Sequence, residues 1–123
     1  MIRLSRGRRK LLTDSPEFER VYRQGAAIRG RLFSVHAFPN DLGTSRLGLS
    51  VSRKVGNAVR RNAVRRRLRE AFYAALPGIS GDLDLVISAR PAAADATFDE
   101  LREELARALR RLDRSDGRTE ANR

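Results

Sequence analysis

The sequence predicts a single-domain α+β fold, in the order helix, two or three strands, helix, strand, helix, with the helices packed on a sheet of about four strands. Three observations predict it. Apolar residues alternate over RLFSVHAF (31–38), RLGLSVS (46–52) and LDLVIS (83–88), the period of half-buried strands. They recur three and four residues apart over 57–76 and 97–112, the period of amphipathic helices. Turn formers separate these runs, as PNDLG at 39–43 and PGISGD at 77–82. A chain of 123 residues supplies one domain with a modest core. It shows no internal repeat and no second domain.

The elements follow in order. Residues 1–12 form a basic N-terminal arm with Arg3, Arg6, Arg8, Arg9 and Lys10. Such an arm is a floppy terminus or a segment that orders on RNA. The domain spans 13–112. Its first helix opens at TDSPEF, where Asp14 or Ser15 caps and Pro16 sits in the first turn, where an N–H has no helical partner. Phe18, Val21 and Tyr22 share a face, and Gly25 stops the helix. Residues 27–39 read as extended, with a turn at Gly30. The strand at 31–38 sets Phe33, Val35 and Ala37 against Ser34, His36 and Phe38. The next sets Leu47, Leu49 and Val51 against Arg46, Gly48, Ser50 and Ser52, a small and polar face that a ligand can approach. A helix from about Asn57 to Leu76 ends at Pro77 and Gly78. A strand at 83–88 follows. The last helix opens with the capping box Thr97–Glu100. It carries an apolar stripe of Phe98, Leu101, Leu105, Ala108, Leu109 and Leu112, and Asp99, Glu103 and Glu104 read as its solvated face. Residues 113–123 are polar and read as a disordered tail.

The helix near 57–76 is unlike the last one. Val64, Leu68, Ala71, Phe72 and Ala75 fall on one side, and Asn62, Arg65, Arg66 and Arg69 fall opposite. Arg61 lies near the apolar side, at the helix start. No acid appears between Arg53 and Glu70. Like charges three and four residues apart repel by about a few tenths of a kcal/mol per pair. A face built only for solubility would intersperse Glu with Arg. A face of one sign, made of Arg, suits bidentate pairing with phosphate oxygens.

Charge across the chain agrees. The formal net charge is +11 and 24 of the 26 basic residues are Arg. Residues 1–72 hold 18 basic and 5 acidic residues, whereas 73–123 hold 8 and 10. One region therefore supplies the electropositive surface, which points to nucleic acid. The chain has no Cys and a single His, which argues against disulfides, thiolate zinc and a His-dependent dyad. No apolar run approaches the ~20 residues of a membrane span. Walker A, GxGxxG and GxSxG motifs are absent. The residues argue for binding, with no visible catalyst in the protein and no obligate protein partner evident.

KVGNAVRRNAVRRRLREAF (54–72) resembles the central motif of the bacterial ribonuclease P protein family. PEFERVYRQG (16–25), RLGLSVSRKVGNAV (46–59) and LVISARPAA (85–93) extend the resemblance over roughly residues 3–112. The resemblance implies a cytoplasmic RNA-binding subunit of the ribonucleoprotein that removes 5′ leaders from precursor tRNA. Its catalytic RNA performs the hydrolysis with bound Mg²⁺. The implied fold is an α-β-β-β-α-β-α sandwich, ribosomal-protein-like, with a left-handed βαβ crossover through the basic helix, against the usual hand. The motif places Arg61, Asn62, Arg65, Arg66 and Arg69 on the catalytic RNA, with Arg60 and Arg67 beside them. The family's RNR reads RNA here, with Ala63 in the third place. A leader cleft between the first helix and the sheet is implied for Phe18, Tyr22, Phe33 and His36, with Arg53, Lys54 and Arg90 at its edge. His36 stands where Tyr is common, and an imidazole stacks on a base more weakly and with pH dependence.

Three rivals share this composition. A ribosomal or other structural RNA-binding protein lacks the motif and the cleft. A stand-alone endoribonuclease needs carboxylates or His near its groove. A DNA-binding protein prefers duplex DNA.

Overall fold

The computed structural model describes residues 20–21, 23–40, 43–79 and 82–122. The expected N-terminal arm lies outside them. Helical backbone at residues 20–21 and 23–24 ends at Gly25, whose N–H donates to the Val21 carbonyl at 2.9 Å. Four strands follow: β1 (Ala26–Arg29), β2 (Phe33–Pro39), β3 (Arg46–Val51) and β4 (Leu83–Ala89). Helix α1 (Ala58–Ala75) joins β3 to β4, and α2 (Phe98–Asn122) follows β4.

The sheet order is β1-β2-β4-β3. β1–β2 and β2–β4 are antiparallel, and β3–β4 is parallel. Parallel neighbours need a long connection, and α1 supplies it. This is the connection for which the family implies a left hand. β4 is central, and its Asp84, Leu85, Val86 and Ile87 are all buried.

Strand alternation divides the sheet. One face turns Phe33, Val35, Ala37, Leu47, Leu85 and Ile87 into a core with Val64, Leu68 and Phe72 of α1 and Leu101 and Leu105 of α2. The other face carries Ser34, His36, Phe38, Gly48, Ser50, Val86 and Ser88. There Val21 is fully buried and packs with Val86 and Phe38.

Local chemistry starts each helix. Asn57 Oδ1 accepts the Arg60 N–H at 3.0 Å, capping α1. Gly56 before it has φ 149°, where a side chain is strained, and a Cβ there would lie 2.8 Å from Arg60 Cδ. The capping box of α2 is formed: Thr97 N–H donates to Glu100 Oε1 at 2.9 Å, and Glu100 N–H to Thr97 Oγ1 at 3.1 Å. Helical backbone continues to Asn122, past residue 112, where the apolar stripe stops.

Glu104 corrects the reading of α2. It is not on a solvated face but buried. Its Oε2 accepts the N–H groups of Leu32 at 2.9 Å and Phe33 at 3.2 Å. The turn between β1 and β2 presents these donors to α2, and a buried N–H needs a partner. Gly30 permits the approach, because a Cβ there would overlap the carboxylate. Asp84 is the second buried acid. Its carboxylate accepts from Arg46 Nε and Nη2 at 2.8 and 2.7 Å and from Asn40 Nδ2 at 2.7 Å. The three donors keep it from being an uncompensated interior charge.

Candidate nucleic-acid interface

Two surfaces carry the expected residues. The first is the outer face of α1. Asn62, Arg66 and Arg69 are exposed, and Arg65 and Arg67 are half-buried. Asn62 Oδ1 accepts from Arg65 Nη1 at 2.8 Å, which steadies one guanidinium. Arg60 turns aside to Asp95, at 3.0 Å, an exposed pair of little energetic weight. Arg61 folds back over the helix start, where its Nε donates to the Gly56 carbonyl at 3.2 Å. Arg66, Arg67 and Arg69 make no hydrogen bond or ion pair with a described residue. The structure thus keeps Arg65, Arg66, Arg67 and Arg69 as the open cationic set and draws Arg60 and Arg61 to the rim. Val59 and Tyr73, exposed by 76% and 47%, stand at the two ends of this helix. The sequence reading passed over both, although Asn62, Arg66, Arg69 and Tyr73 recur at helical spacing.

The second surface is the open face of the sheet. Pairing register sets its side chains in rows, with adjacent strands about 4.8 Å apart. Arg29, Ser34, Ser88 and Ser50 form one row across all four strands, and Ala27, His36, Val86 and Gly48 form the next. Phe38 follows, with the Arg20 guanidinium 5.3 Å from its ring centroid. Ser88 Oγ is buried without a hydrogen-bond partner. His36 titrates below its ordinary value, first because burial disfavours the imidazolium and second because Arg29 repels it. Arg53 and Lys54 lie in a 3₁₀ turn (Arg53–Val55) just past β3, where Ser52 Oγ accepts the Lys54 N–H at 3.2 Å. Arg90 follows β4, and its Nε donates to the Gly30 carbonyl at 2.8 Å. These cations therefore cluster at the end of the sheet that carries the serine row.

Phe33 does not belong to this surface. It is 1% exposed and lies in the core on the other face. The cause is parity: residues 33 and 36 are an odd number apart on one strand, so they point to opposite sides. Phe38 shares the side of His36 and is the aromatic that the strand offers there. The same parity rule brings in Ser34 and Ser88, beside Ser50, whose strand face already reads from sequence as open to a ligand. Phe18 and Tyr22 lie outside the described residues.

The chemistry offered is that of polyanion binding. Guanidiniums line a helix, and an open sheet face offers hydroxyls, an imidazole and a phenyl ring. No group of three or more His, Asp or Glu side chains gathers among the described residues. Glu104 and Asp84 are each held by donors of the chain itself. These residues do not fit a resident divalent cation.

A mixed sheet with one open face beside a one-sign helix defines a small RNA-binding protein of the α+β class. The particular kind follows from its relatives. Residues 7–113 match the ribonuclease P family. The ribonuclease P protein component of Halalkalibacterium halodurans is 42% identical over 92 residues, covering 74% of this chain and 77% of that protein. The solved ribonuclease P protein of Thermotoga maritima superposes with a TM-score of 0.74 at 31% identity, covering 84% of this chain and 97% of that one. That of Staphylococcus aureus gives 0.72 at 33% identity, covering 84% and 94%. The chain belongs to the ribonuclease P protein component family.

Proposed function

We propose that the chain works as the protein subunit of ribonuclease P in the cytoplasm. The outer face of α1 seats on the catalytic RNA. The open face of the sheet holds the 5′ leader of precursor tRNA, and hydrolysis is left to the RNA subunit and its Mg²⁺. The observation that carries this reading is the arginine face of α1, free of acidic partners, on a chain of this family. No helix among the described residues is long and apolar enough to cross a membrane.

The division of labour follows from the side chains. Arg65, Arg66 and Arg69, with Arg67 beside them, meet phosphates as forked donors and carry no sequence information themselves. Single-stranded RNA instead needs stacking platforms flanked by cations, each stacked base contributing roughly 1–3 kcal/mol with little sequence preference. His36 and Phe38 on the sheet, with Arg53, Lys54 and Arg90 at its end, meet that need. Such tolerance suits a processing enzyme whose leaders vary. If six or more phosphates are engaged, affinity falls on the order of 10³-fold between roughly 50 and 200 mM salt.

The test is precursor-tRNA cleavage at low Mg²⁺ by the protein alone, the catalytic RNA alone, and both together. Cleavage at the mature 5′ end only in the combined reaction is expected. Cleavage by the protein alone would make it a nuclease, and no rescue with RNA binding intact would favour a ribosomal role. Arg65→Glu/Arg66→Glu/Arg69→Glu is expected to fold normally and to lower the salt slope of catalytic-RNA binding by about three. Unchanged affinity in a filter-binding titration would sink the assignment of α1.

A further inference from the structure

A third cationic surface lies apart from the outer face of α1 and borders the open face of the sheet at Arg29. At the turn between β1 and β2, a cavity of about 240 Å³ is lined by Arg29, Arg31, Arg107 and Arg111, with Gly30 and Glu104 at its base. β1 is one edge of the sheet, and β3, which leads into α1, is the other. The cavity opens between β1 and α2, so neither the outer face of α1 nor the row of His36 forms it.

Its construction is specific. Glu104 anchors α2 to the turn through the N–H groups of Leu32 and Phe33. Arg107 and Arg111 stand three and seven residues farther along the same helix face. Arg29 and Arg31 flank Gly30 on the turn. The anchor therefore holds two pairs of guanidiniums toward one space. The only carboxylate in the lining is Glu104 itself, buried and committed to backbone donors. None of the four arginines makes a hydrogen bond or ion pair with a described residue. Elsewhere Arg46, Arg60 and Arg102 pair with Asp84, Asp95 and Asp99. Four unpaired forks around one cavity are costly in mutual repulsion and suit an anion with several oxygens.

We propose that Arg31, Arg107 and Arg111, with Arg29 shared with the edge of the open sheet face, bind backbone phosphates of an RNA strand, as a contact separate from α1. The inference rests on the RNA-binding reading above for the kind of anion. Phosphates of the catalytic RNA and of the precursor tRNA share the needed chemistry.

The experiment compares the full chain with Arg107→Gln/Arg111→Gln and with Arg102→Gln/Arg110→Gln. The second variant removes the same charge from α2 outside the cavity. One arm measures catalytic-RNA binding across a salt series. The other measures precursor-tRNA affinity of the assembled ribonucleoprotein. Arg107→Gln/Arg111→Gln is expected to weaken one arm on the order of 10-fold and to lower its salt slope by about two. The arm affected identifies the RNA. Arg102→Gln/Arg110→Gln should change neither arm by more than about two-fold, since unspecific charge is screened at moderate salt. Equal losses from both variants, or no loss in either arm, would overturn the proposal. Should the first variant melt early, Arg31→Gln on the turn reads the same site independently. Absence of RNA binding by the unaltered chain would instead defeat the functional reading itself.

Discussion

On β2, Phe33, Val35 and Ala37 turn to one side of the sheet, and Ser34, His36 and Phe38 turn to the other. The first side meets α1 and α2 and loses nearly all contact with water. The second packs against Val21 and leaves Ser34, His36 and Phe38 partly exposed. Consecutive residues of one strand thus differ in burial, and a residue's surroundings follow from its parity along the strand more than from its type. An aromatic on the closed side is core, and on the proposed reading an aromatic on the open side is a platform.

The sharpest way to break this comparison is Phe33→Ala. It should cost about 3–5 kcal/mol of unfolding free energy, as a core cavity does, and any loss of RNA binding should track the unfolded fraction. A stable variant with selectively weakened leader binding would return Phe33 to the cleft. Glu104→Gln comes next. It replaces an acceptor that serves two backbone donors, so a loss of about 1–2 kcal/mol is expected in denaturant unfolding. A neutral result would mean that the Gln amide oxygen serves both donors as well as the carboxylate does. His36→Ala should do the reverse. Stability changes by less than ~1 kcal/mol, the range of residues outside the closed core, while leader affinity falls by about 1–3 kcal/mol if the ring stacks on a base. Equal binding of leader-bearing and leaderless tRNA by both proteins would exclude that stacking.

The smallest effect is on pH. The folded state holds His36 below its ordinary value. Between the two values the unfolded chain binds more protons, so this group's stabilisation is present above pH ~6.5 and is lost as pH falls through the folded value. Melting of the wild type should therefore decline on mild acidification slightly more than that of His36→Phe. Parallel curves would mean that another group dominates.

Much of this architecture is legible from periodicity. The α1 residues expected inside, Val64, Leu68, Ala71 and Phe72, are its buried residues. The capping box at Thr97 forms as the spacing implies. Local signals suffice because each of these features is decided within one or two helical turns. What fails is decided elsewhere in the chain. Glu104 flanks an apolar stripe and reads as solvated, until the β1–β2 turn arrives from 72 residues away with two N–H groups to satisfy. Asp84 is likewise settled by distant partners, Arg46 and Asn40, which enclose it. Phe33 was different, since its alternation with His36 is local and visible. The resemblance to aromatic-lined clefts suggested that aromatics near the motif line the cleft, and strand parity decides otherwise.

The position of β4 has a consequence for the order in which the molecule is made. Two of the sheet's three pairings belong to residues 83–89, and Phe33 pairs with Ala89 across 56 positions of chain. Until that segment leaves the ribosome, β2 and β3 have no strand between them, and α1 has only part of the surface it packs on. Contacts so distant in sequence also form slowly. A nascent chain therefore carries its arginines well before it can present them on a rigid helix. The surface on which α1 packs is complete only once residues 83–89 have joined the sheet.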